Sequence, residues 1–110
     1  MVNAEKGRVF VPGDMVDYAD GGIVSKELIH TSGGSMTLFS FDAGQRLSEH
    51  SAPFDAVVSV VEGEPEIMID GKPHYPKHGE MLVMPANHPH AVNARTRFKM
   101  VLTMIKEQTL

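Results

Sequence analysis

The sequence predicts an all-β domain, a small antiparallel β-barrel, and three observations carry that expectation. The hydrophobic residues recur with period two and not 3.6. Turn residues interrupt the apolar runs at short, regular intervals. No stretch of ten residues has clean helical periodicity. The 110 residues are expected to form a single domain over 1–110, with room for one hydrophobic core.

The expected elements follow in chain order. Arg8 and the apolar residues Val9 to Val11 offer a short extended segment, suited to pairing with a second copy. Residues 23–31 form a first strand, ending at His30 and Thr31 before the Gly33-Gly34 turn. In residues 35–42, Thr37, Phe39 and Phe41 share one face, and Met36, Leu38 and Ser40 the other. Residues 57–61 are apolar and mostly β-branched, the pattern of a strand buried on both faces. Residues 66–70 alternate again, and Asp70-Gly71 then joins them to Lys72-Pro73-His74-Tyr75 as a hairpin, because its tight turn needs positive φ. Residues 80–84 and 91–94 are short strands. Residues 98–105 close the set, with Phe98, Met100, Leu102 and Met104 on one face. Arg95, Arg97, Lys99 and Lys106 then form a solvated face, and residues 106–110 form a short helical turn.

Composition excludes several classes of function. The net charge is -4, and the ten Lys and Arg are scattered singly among fourteen acids. Nucleic-acid binding calls for a basic stripe, and membrane-surface binding for a basic amphipathic face; neither partner is expected. With no cysteine there is no disulfide, thiolate metal site or Cys nucleophile. No apolar run reaches the length of a membrane span and no signal-like apolar region opens the chain, so the cytoplasm is the expected compartment.

Six histidines stand out in a chain of this length. His74 and His78 fall in or beside a turn and read as surface residues; His30 reads as a strand-edge residue. His50 and His90 differ, because each lies inside a patterned segment. Gly44, five residues, His50, and later Gly63 form the first pattern; Gly79, five residues, Pro85, and later His90 form the second. These segments resemble the two motifs of the cupin family of small β-barrels, over residues 44–63 and 79–94. The resemblance implies a double-stranded β-helix, or jelly-roll barrel, with His50 and His90 facing a central pocket.

The sequence departs from that family at the positions that hold metal. Metal-binding cupins use two His and a Glu from the first motif and one His from the second. Ala52 stands at the second His position, Ala56 at the Glu position, Asn87 at the second-motif Gly and Ala94 at the closing Asn. Asn tolerates the left-handed backbone, so Asn87 keeps the turn. Ala52 and Ala56 remove two ligands.

The expected function is therefore binding or sensing of a small molecule at a degenerate metal site. His50, His90, Gln45, Phe54 and His88 are the candidate contacts. An alternative is a metal-dependent enzyme of oxygenase, isomerase or decarboxylase type. It would hold a divalent ion (Zn, Ni, Mn or Fe) through His50, His90 and one further group drawn from Gln45, Glu49, Asp55, Glu62 and His88. Glu49 is expected to face away from His50 if that segment is extended. A third reading is metal-free acid–base catalysis by the two histidines as catalytic residues. At least one of the rings is expected to be neutral at pH 7. A homodimer is also expected, because a small open barrel leaves strand edges and apolar flank uncovered.

Overall fold

The computed structural model describes residues 5–106, which form two antiparallel sheets facing one another across a hydrophobic core. The strands are β1 (Ile23–Thr31), β2 (Gly34–Phe41), β3 (Arg46–His50), β4 (Asp55–Glu62), β5 (Pro65–Ile69), β6 (Lys72–His74), β7 (Met81–Met84), β8 (His90–Ala94) and β9 (Phe98–Ile105). The first sheet has the order β1-β2-β9-β4-β7 and the second β3-β8-β5-β6. This is the double-stranded β-helix that the motif pattern implies. The C-terminal helical turn expected over 106–110 falls largely outside the described residues, and Lys106 itself is irregular.

The core follows from strand alternation. Phe41 from β2, Ala56, Val58 and Val60 from β4, Met84 from β7, and Phe98 and Met100 from β9 point inward from the first sheet. Ile67, Ile69, Val92 and Ala94 answer from the second. Phe41 and Phe98 stack with ring centroids 4.5 Å apart. Ile23, Phe39, Leu47, Leu82, Leu102 and Met104 pack against this cluster while staying partly exposed.

The opposite face of the first sheet is also covered over β1, β2 and β9. Val16 packs with Leu28, Leu38 and Val101 in a second apolar cluster. A short 3-10 turn, Pro12–Asp14, leads into this covering segment. Ser40 Oγ donates to the Asp17 carbonyl (2.8 Å) and Lys99 Nζ to the Gly13 carbonyl (2.7 Å). Tyr18 OH donates to Glu62, and Arg97 binds Asp20 (2.5 Å) and Asp42 (2.7 Å). The Arg97 hydrogen bond, helped by the backbone N–H of Gly21, holds the Asp42 carboxyl down at about 2. Residues 13–20 thus strap the sheet.

That strap corrects one expectation. Lys99 does not lie on a solvated face: it is buried, with Nζ 4.8 Å from the centre of the Tyr18 ring. Leu38 and Ser40 are buried as fully as Phe41 for the same reason. In β4, Ala56, Val58 and Val60 are buried while Val57, Ser59 and Val61 are half-covered, so its outer face is sheltered only in part.

The turns are built as the sequence requires. Asp70 (φ 52°) and Gly71 (φ 76°) make the hairpin turn between β5 and β6. Asn87 has φ 66°, the left-handed conformation expected of it. At Gly63 (φ 81°) a β-carbon would lie 2.1 Å from the Arg97 carbonyl oxygen, so only glycine fits.

Two strands are less evident in the sequence. β3 is an edge strand whose one partly buried residue is Leu47, so it carries no apolar alternation. β6 is a three-residue edge strand. Arg8 to Val11, expected as an added strand, is irregular and pairs with neither sheet, and Val9 is 101% exposed.

Candidate functional site

His50 and His90 meet. They come from neighbouring strands of the second sheet, where His50 is paired with His90 in register. Their Nε2 atoms lie 3.2 Å apart and their ring centroids 4.4 Å apart, with the rings nearly perpendicular at 69°. His90 points inward with Val92 and Ala94 and is 6% exposed, whereas His50 is exposed at the rim. The pair is thus a buried ring beside an accessible one.

A bulge aims His50. Leu47 already faces the core, and strict alternation would send His50 to the other side. The register shifts between Leu47 and His50, and this irregularity returns His50 to the inner face. The ring is then fixed by Nδ1, which donates to the Ser48 carbonyl at 2.9 Å. That bond places the proton on Nδ1 and leaves Nε2 as a lone pair.

His90 has two ways to answer it. It can donate Nε2–H to His50, which leaves its own Nδ1 buried with no partner among the described residues. Alternatively it can carry its proton on Nδ1, toward the His88 carbonyl. Two lone pairs then converge across 3.2 Å and need a proton or another electrophile between them. Burial pushes the His90 pKa down and the neighbouring His50 adds to the effect, while the His88 carbonyl opposes them. His90 is accordingly neutral at pH 7, as expected for at least one of the two.

The other sequence candidates are not gathered with the pair. Gln45 lies before β3, at the end away from His50, with its main chain bonded to Asp42 and Ala94. His88 turns outward and places Nδ1 2.8 Å from Asp70 Oδ2. Asp55 accepts from the Ala86 N–H (2.8 Å), and Glu62 is held by Tyr18. Phe54 is partly buried in the loop between β3 and β4, with Lys106 Nζ 5.6 Å from its ring centre. That loop is tied to the turn before His90 by Asn87 N–H donating to the Ala52 carbonyl (2.7 Å). At this end of the barrel the first sheet presents Ser35, Met104, Ala56 and Met84 side by side, in one cross-strand row. The sequence reading did not single out Ser35.

The cupin domain family profile matches residues 37–106, spanning both motifs and seven of the nine strands in full. The chain belongs to the cupin family. A conserved protein of unknown function from Streptococcus pyogenes is 33% identical, with a TM-score of 0.91, covering 98% of this chain and 95% of that one. A cupin 2 conserved barrel domain protein from Leptotrichia buccalis is 46% identical, with a TM-score of 0.83. That match covers 86% of this cupin but only 46% of the Leptotrichia chain. A salicylate 1,2-dioxygenase from Pseudaminobacter salicylatoxidans shares the fold alone, at 17% identity and a TM-score of 0.71 over 77% of this chain and 26% of its own. A search of curated proteins finds no match.

As a cupin, the chain can be tested for the metal its family often holds. Two nitrogens each about 2.05 Å from one ion and 3.2 Å apart would subtend about 100°, which suits two neighbouring ligands. The rest of the donor set does not fit. Catalytic zinc-type sites use three protein ligands and the family's two motifs supply four, and Ala52 and Ala56 occupy the positions of the missing two. Among the described residues no group of three or more His, Asp or Glu side chains converges on a point. The chain supplies half of a coordination sphere.

Proposed function

We propose that this cupin binds a small organic acid as its anion, with the His50–His90 pair taking up one proton from solvent, in a binding or sensing role. The observation that carries the reading is the convergence of two Nε2 atoms at 3.2 Å, one ring buried and the other open to solvent. Such a pair has a place for one proton and resists a second, because two charged rings in contact repel and the inner one is desolvated. A carboxylate, already ionised at pH 7, binds together with one proton taken up from solvent, so that an anion lies beside the cation the pair becomes. Phe39, Leu102 and Met104, partly exposed on the inner face, with Ala56 and Met84, offer apolar contact to its carbon skeleton. A few placed polar groups on apolar walls is the usual make-up of a small-molecule site.

The metal-dependent reading has one observation in its favour, the 100° bite, and an incomplete donor set against it. Elemental analysis of untagged protein separates the two: metal near one equivalent that is lost in His50→Ala favours the enzyme. The acid-binding reading is tested by thermal shift and NMR against a panel of small carboxylic acids. Binders should move the His50 and His90 ring signals and weaken by about tenfold or more in His90→Phe, the loss expected for one charge-assisted hydrogen bond. Binding indifferent to both histidine substitutions sinks the proposal.

A further inference from the structure

Two buried side-chain polar atoms find no hydrogen-bond partner among the described residues: His90 Nδ1 and Ser35 Oγ. Buried hydroxyls are normally satisfied, so each exception asks for a reason. A serine at this place has no structural need to be polar. Its neighbour across β9 is Met104, and beyond that lie Ala56 and Met84, all apolar. Alanine would fill the position without leaving an unpaired group.

The location of Ser35 supplies the reason. Ser35 shares the inner face of β2 with Phe39 and Phe41 and is 5% exposed. It sits in the row Ser35–Met104–Ala56–Met84, at the end of the first sheet where the loops before β4 and after β7 are bonded together. His90 opens β8 directly after that second loop, on the facing sheet. The orphan hydroxyl and the histidine pair therefore look into the same end of the barrel from opposite walls. Ala56 and Met104 lie between the hydroxyl and the β7 edge, so the ground separating the two polar points is apolar. Neighbouring strands are about 4.8 Å apart, which puts Ser35 about 10 Å from Ala56 along the row.

Building on the acid-binding reading, we infer that Ser35 Oγ is a second polar anchor of the same site, and that the ligand is a hydroxy acid or similarly bifunctional molecule. Its acid group meets the His50–His90 pair and its hydroxyl or carbonyl meets Ser35, with an apolar spacer against Met104 and Ala56. The serine hydroxyl both donates and accepts, so it suits either group at that end. Ser35 is then a specificity-determining residue that selects against plain acids.

The test uses the full chain and a chain-length series of ω-hydroxycarboxylates with three to six carbons, each matched to its unsubstituted carboxylate. Affinities are read from the His90 ring signals by NMR. At one chain length the hydroxy acid should bind about five- to tenfold tighter than its partner, the value of one neutral hydrogen bond. Ser35→Ala should erase that preference and leave the plain acid's affinity unchanged, with a melting temperature equal to or above that of the wild type. Ser35→Cys, nearly isosteric, provides the same comparison should the alanine variant fold poorly. Plain acids that bind without any hydroxyl preference, or a preference that survives both substitutions, would overturn the inference and leave the acid-binding reading standing. If no acid of either series moves the His90 signals, both fail together.

Discussion

At His90, packing and titration pull against each other. The ring is nearly sealed from water and touches a second imidazole, so its protonated form is disfavoured in the fold and free in the unfolded chain. With the folded pKa lowered, the unfolded state binds the extra proton first. This contribution to stability is complete above the unfolded value near 6.5 and is lost as pH falls from there toward the folded pKa. Thermal melts should therefore decline as pH drops below neutral, and His90→Phe should flatten that decline; an unchanged slope would mean that His90 is not the group responsible. The pair itself was legible in the sequence, because each histidine stands at a fixed spacing from glycines and a proline that set the turns around it. Its companions were not. Gln45 and His88 are close to the histidines along the chain but are carried off by the length of β3 and by the bend at His88, whose ring is held by Asp70. Ser35 gave no signal, since a serine in an alternating strand looks like any other until its lack of a partner is seen.

Elements were legible in proportion to how much apolar surface each buries. β9 matches its expected bounds, Phe98–Ile105, because it is central in its sheet and one whole face is core. β3 was missed as an element, being an exposed edge that spends a single leucine on the core. The double covering of β2 and β9 by the strap was also hidden, since nothing in residues 13–20 alternates. Gly63 is where an element depends most on one residue. It ends β4 in a left-handed conformation with the Arg97 carbonyl against its α-carbon, so a methyl group there meets both a torsional and a steric penalty. Gly63→Ala should cost about 3 kcal/mol or more and lower the melting temperature of a domain this size by more than about 10 °C. A variant melting within a few degrees of the wild type would show that the contact between residue 63 and the Arg97 carbonyl relaxes freely.

At the scale of the whole molecule, the four most exposed large apolar side chains among the described residues lie at two places. Val9 and Val11 stand out from the segment before the strap, at 101% and 61% exposure, and Met81 and Val83 line the β7 edge at 68% and 55%. Edge strands and apolar patches of this kind are commonly closed by a second copy. Light scattering on a sizing column should give a dimer mass, and Val9→Ser with Val11→Ser should weaken association by about tenfold or more; a monomer at high concentration removes the dimer altogether. The strap also makes the two walls of the barrel unequal. In the first sheet β2 and β9 are sandwiched between core and strap, while β3, at the open margin of the second, is held by β8 alone and interrupted by its bulge. Local opening is easiest where few contacts must break. Deuterium should accordingly enter the β3 amides well before those of β9, and the wall that carries His50 can breathe while the rest stays shut. Admission of a guest to the inner ring would then be timed by the fraying of five residues, with no need to unfold the barrel.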